Sequence, residues 1–124
     1  MNFRQTMFKC LVDTLGVPAG KLSRINDDGP VAIELTKGGE IYLSKENDAI
    51  YTGVKVPFRN KNSLQLNASK IISILTENKD VVVNVLGENL VIMINVSCES
   101  RDLSKDLSEA LTTLNNAALA LADM

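Results

Sequence analysis

The order of its patterned segments limits this chain more than any single motif does. A helical pattern comes first, then three short stretches of strand alternation, a second helical pattern, two strongly apolar runs and a long final helix, all within 124 residues. That order, α-βββ-α-ββ-α, predicts an α+β fold with an antiparallel sheet and flanking helices. The length suits one domain spanning 1–124. A chain of this size buries roughly two thirds of the surface its unfolded form exposes, enough for a self-sufficient core.

The first helix is expected from a cap at Asn2, with Gln5 three residues later, to a stop at Gly16 and Pro18. Phe3, Met7, Cys10, Leu11 and Thr14 form one stripe, and Phe8, Val12 and Leu15 form a second beside it. Two adjacent stripes make an apolar arc wider than one core face needs. Such a helix is either wedged between two layers or shows apolar surface to a partner. A polar linker, Lys21 to Gly29, leads to strands. Val31, Ile33 and Leu35 alternate with Ala32, Glu34 and Thr36. A hairpin turn at Lys37-Gly38-Gly39-Glu40 and a polar turn from Ser44 to Asp48 divide a three-stranded meander that Pro57 ends. Phe58 to Ser63 reads as a loop. Leu64, Ala68, Ile71, Ile72 and Leu75 fall at helical spacing, and Asn78-Lys79 ends that helix.

Val81–Leu86 and Leu90–Val96 are apolar on both faces, with Gly87-Glu88-Asn89 turning between them. Strands of that kind need cover on both sides. Three helices in a domain this small do not supply it, so a second copy of the chain is the expected cover. In the last helix Leu103, Leu107, Ala110, Leu111, Leu114, Ala118 and Leu121 share one stripe behind a cap at Asp102.

The chemistry is sparse. The chain has no histidine and no tryptophan, so a serine or cysteine nucleophile lacks its usual base. The Ser-Lys pairs at 44–45, 69–70 and 104–105 are neighbours that point apart and read as surface. Cys10 and Cys98 lack the spacing of a zinc or redox motif and read as buried free thiols. No phosphate-loop or calcium-loop pattern is present. These absences predict a protein that is not an enzyme and takes no cofactor or metal. A net charge of -2 and a pI near 5.1 disfavour nucleic acid as a partner. Strongly apolar runs such as Leu90 to Ile94 are too short to enter a bilayer as a span, and Met1 to Thr6 lacks a secretory pattern. A cytoplasmic binding module is the expectation. The surface left for binding is a free sheet edge, which accepts a strand from another chain, beside the surplus apolar area of the first helix.

The chain resembles the class I chaperones of bacterial type III secretion systems, the Tir chaperone family. The likeness rests on the element order and on Leu11-Val12-Asp13-Thr14-Leu15-Gly16-Val17-Pro18, Ile41-Tyr42-Leu43-Ser44 and the strand from Ala49 to Val56. It implies a small cytoplasmic bacterial homodimer that binds the N-terminal region of a secreted effector in extended form. The effector is thereby kept stable and ready for the secretion ATPase. It implies effector contacts at Phe8, Val12, Ile33 and Leu35, and dimer contacts at Ile71, Ile72, Leu75, Val91 and Met93. A roadblock- or profilin-like dimeric scaffold that binds a folded partner is the rival reading. Its strand order is less suitable, because roadblock folds place more strands after the second helix than before it. A small enzyme or ligand carrier with a pocket beside the sheet is the other.

Overall fold

Alternation of side chains builds the sheet, and its rows can be read straight across the strands. The computed structural model describes residues 3–17, 31–35, 39–77, 81–99 and 101–122. The strands are β1 (Val31–Glu34), β2 (Glu40–Glu46), β3 (Ala49–Pro57), β4 (Val81–Leu86) and β5 (Asn89–Ser97). They pair antiparallel in the order β1-β2-β3-β5-β4, so β1 and β4 are the two edges. One face carries the row Ile33–Ile41–Val54–Ile92–Val83 and the row Val31–Leu43–Thr52–Ile94–Val81. Thr52 is fully buried there, and its hydroxyl donates to the Ile94 carbonyl at 2.6 Å. That bond removes the penalty of an unsatisfied buried hydroxyl.

The helices are α1 (Phe3–Leu15), α2 (Lys61–Leu66), α3 (Ala68–Glu77) and α4 (Leu103–Ala120). Met7, Cys10 and Leu11 of α1 join Leu107, Leu111, Leu114 and the two alanines Ala117 and Ala118 of α4 in one core with the first face of the sheet. Each fully buried leucine contributes about 1.5–3 kcal/mol by leaving water. The stripe on α4 is the one its spacing predicts, and the Asp102 carboxylate accepts from Lys105 N–H at 3.1 Å as its cap. Cys10 is a free, buried thiol. It accepts from the Ser108 hydroxyl at 3.3 Å and points at the Ser104 carbonyl at 3.4 Å, which pins α1 to α4. Cys98 is free and half-buried, so the expected burial is complete only for Cys10.

Two local expectations are corrected. The turn expected over Ser44 to Asp48 is tighter: Ser44, Lys45 and Glu46 stay paired with Tyr51, Ile50 and Ala49. Only Asn47 and Asp48 form the bend, with Asn47 at a positive φ of 53°. Asparagine tolerates that conformation better than most residues. The loop expected over Phe58 to Ser63 is half helix. Asn60 caps α2 by accepting from Ser63 N–H at 3.1 Å, and Asn67 interrupts the helix before α3. The Asn67 side chain donates back to the Ser63 carbonyl at 2.8 Å, the local competition that makes asparagine a helix-breaker. The expected cap at Asn2, the linker Lys21 to Gly29, the glycine at 38 and the stop at Asn78-Lys79 lie outside the described residues.

The second face of the sheet carries the row Ala32–Tyr42–Gly53–Met93–Val82. The Tyr42 ring lies directly on Gly53, where any Cβ would overlap its Cζ and hydroxyl. Lys55 places its ammonium 5.9 Å from that ring's centroid. Burial raises the Tyr42 phenol above its ordinary 10.0. Folding therefore holds that proton more tightly. The resulting stability is complete below pH about 10 and is lost as pH rises through the folded value. Gly53→Val is expected to push the ring off the strand and return the phenol toward its ordinary value. Ultraviolet titration checks this simply, because the chain has only two tyrosines. An unchanged titration would show that the ring does not depend on Gly53 for its seat.

Candidate protein-binding surfaces

Among the described residues, three surfaces bear on binding once the core is closed. The first borders α1. Its inner stripe is buried, while Phe8, Val12 and Leu15 are only partly covered at the margin of the core. Ile33 stands on the helix-facing side of β1 opposite Ile41, and Leu35 follows at the strand's end. Both are likewise partly buried against the same core. The second stripe of α1 is thus neither wedged in a second layer nor fully displayed.

The second surface is the outer edge of β1. It ends the sheet, and among the described residues no strand pairs with it. The hairpin beside it closes through Leu35 N–H donating to the Gly39 carbonyl at 2.9 Å. Gly39 has φ of 100°, and a Cβ there would stand 2.8 Å from the Lys55 carbonyl. The glycine is required on both counts.

The third surface is the opposite edge. Helix α3 turns Ile71 and Ile74 toward the core and leaves Ile72 58% and Leu75 39% exposed. Beside it, β4 directs Val81 and Val83 inward but leaves Val82 55%, Val85 47% and Leu86 55% exposed. Met93, next to Val82 across the ladder, is half-buried. Val91 is 1% exposed and already enclosed within the chain. The expectation of apolar strands lacking full cover is met on β4 and not on β5, because β5 lies between two strands. Val82, Val85 and Leu86 were not singled out by spacing. Their signal was the unbroken apolar run, which did not tell the edge strand from the central one.

Among the described residues no group of three or more acidic, cysteine or histidine side chains could hold a metal ion. No described helix is long and apolar enough to cross a membrane.

The architecture has close counterparts among solved structures. SycH, a type III secretion chaperone of Yersinia pestis solved with a stable fragment of YscM2, superposes with a TM-score of 0.62. At 15% identity the match covers 97% of this chain and 99% of that one. A chain of the ExsC–ExsE complex gives 0.60 at 11% identity, covering 96% and 93%. YbjN of E. coli gives 0.57 at 11% identity, covering 95% and 87%. No protein-family model matches this chain, and no curated protein does. The fold is that of the type III secretion chaperone SycH over essentially its whole length, as the element order implied.

Proposed function

We propose that this protein is a type III secretion chaperone that binds the N-terminal region of a secreted effector in extended form. The observation that carries the reading is an outer edge of β1 with which no described strand pairs, beside partly covered apolar residues, in a fold shared with SycH over 97% of this chain. An extended segment that pairs with β1 gains backbone hydrogen bonds without folding, and its apolar side chains seat beside Phe8, Val12, Ile33 and Leu35. Nothing in this requires nucleotide or catalysis. The bound segment stays non-globular, stable and available to the secretion ATPase in the bacterial cytoplasm.

The same reading includes a homodimer. Ile72 and Leu75 of α3 and Val82, Val85 and Leu86 of β4 leave exposed apolar side chains at this end of the sheet, on both faces of β4, and a second copy of the chain covers them. Ile71 packs beneath α3 against the core, Met93 lies beside Val82 in the same row, and Val91 is enclosed and contributes only packing.

Affinity capture of the tagged chain from cells with secretion blocked, followed by limited proteolysis of the complex, tests the proposal. The expected result is one dominant partner, two copies of this chain per partner, and a protected segment near the partner's N-terminus. Protection of a compact folded domain instead would replace the chaperone by a scaffold.

A further inference from the structure

Asn84 is the one polar residue of β4, whose sequence is Val-Val-Val-Asn-Val-Leu. Its carboxamide oxygen accepts from the N–H of the next residue, Val85, at 2.8 Å. The side of the strand on which that bond lies follows from the hairpin. Leu86 and Asn89 flank the two-residue turn Gly87-Glu88. Such a turn is closed by a hydrogen-bonded pair, and pairs of the two kinds alternate from there. Leu86, Asn84 and Val82 therefore direct their backbone groups at β5, while Val85, Val83 and Val81 direct theirs outward. Among the described residues no strand pairs with that outer edge. Asn84 thus occupies one of the N–H groups that an added strand would need.

The exposed apolar side chains of β4 lie on both faces of the sheet, Val85 on the helix side and Val82 and Leu86 on the other. A partner lying on one face covers that face alone. A strand added edge-on continues both. A second β4 is a strand of that kind, and because β4 carries no charged side chain, two copies bring no like charges together. Antiparallel pairing about a two-fold axis must set outward residues opposite outward residues. Centred on Val83, it pairs Val81 with Val85 of the partner subunit and needs the Val85 N–H. Centred on Asn84, it pairs Val83 with Val85 of the partner subunit and needs it again. Centred on Val82, it exchanges bonds between Val81 and Val83 alone and leaves the Asn84–Val85 bond in place. From this we infer that Asn84 sets the register in which β4 joins a second copy, with Val82 on the two-fold axis. One polar residue fixing the register of an apolar interface is a well-attested use of such a group. The inference rests on the homodimer proposed above and adds its register and the residue that determines it.

Disulfide trapping in the full chain tests this. Cys98→Ser removes the half-buried thiol and leaves Cys10 enclosed. In that background Val82→Cys and Leu86→Cys are compared under mild oxidation, since both positions are equally exposed and share a face. A non-hydrogen-bonded pair on the axis stands about 4.5 Å apart at Cα, within the span of a disulfide. Leu86 would lie roughly 25 Å from its counterpart at about 3.3 Å per residue. The expected result is that Val82→Cys crosslinks most of the chain and Leu86→Cys does not. Adding Asn84→Ala frees the Val85 N–H and is expected to cut the Val82→Cys yield several-fold as other registers open. Asn84 is exposed, so the unfolding midpoint should hold. Equal crosslinking at both positions, or a Val82→Cys yield indifferent to Asn84→Ala, would overturn the inference. A chain that sediments as a dimer without crosslinking through Val82→Cys would overturn it while leaving the dimer intact. A chain that sediments as a monomer would remove the dimer and this inference together.

Discussion

Aspartate at position 8 is expected to abolish capture of the effector segment while leaving the domain folded. Phe8 lies on the outer stripe of α1, partly buried against the core, whereas Met7 and Leu11 on the inner stripe are fully buried. A carboxylate at the margin stays in reach of water, so the domain loses about 1–3 kcal/mol. In a complex it would be shut away under the partner without a counter-charge. That penalty is several kcal/mol, so affinity falls by about 100-fold or more. Two measurements decide the matter: partner affinity by titration calorimetry, and the unfolding midpoint in denaturant. Lost binding with a modestly lowered midpoint supports the groove. A variant that is unfolded at rest would make Phe8 a core residue and remove α1 from the binding surface.

Ile72→Asp combined with Val82→Asp is expected to convert the proposed dimer to monomer. Both residues are more than half exposed in the single chain, so the monomer's own stability should shift by no more than about 0.5 kcal/mol. Each aspartate would face the partner subunit unpaired, at about 3 kcal/mol or more, so the pair raises the dimer dissociation constant by at least about 10⁴-fold. Sedimentation equilibrium of variant and wild type is the check. A wild-type chain that sediments as a monomer would leave the exposed α3–β4 edge to some other partner.

Much of this molecule is written locally and was legible. Alternation along Val31–Glu34 and Ala49–Pro57 reports a pleated strand with one buried face, and the α4 stripe from Leu103 to Leu121 reports its buried side. Signals that depend on distant partners were not legible. Val81–Leu86 and Leu90–Val96 look alike as sequences, yet the second is central and the first is an edge. Only the pairing of β5 with β3 separates them. Asn67 sits in helical spacing, and its side chain breaks the helix through one bond to Ser63. Among the candidate residues, Phe8, Val12, Ile33 and Leu35 do border one core, as patterning allows. Val91 carries the same apolar signal as Val82, but only Val82 reaches the surface.

The strand order also governs how the domain comes into being. The nine-residue strand β3 is finished at Pro57, but its neighbour β5 begins at Asn89, so the sheet's longest ladder waits for the intervening chain. Closing that loop is an entropic toll on folding that the local hairpins escape. On a ribosome, the early meander would emerge with β3 as a bare rim, sticky on its unpaired side. Assembly of the sheet is therefore a late, nearly all-or-none event, and a nascent chain arrested before β5 offers its neighbours an unfinished seam rather than half a domain.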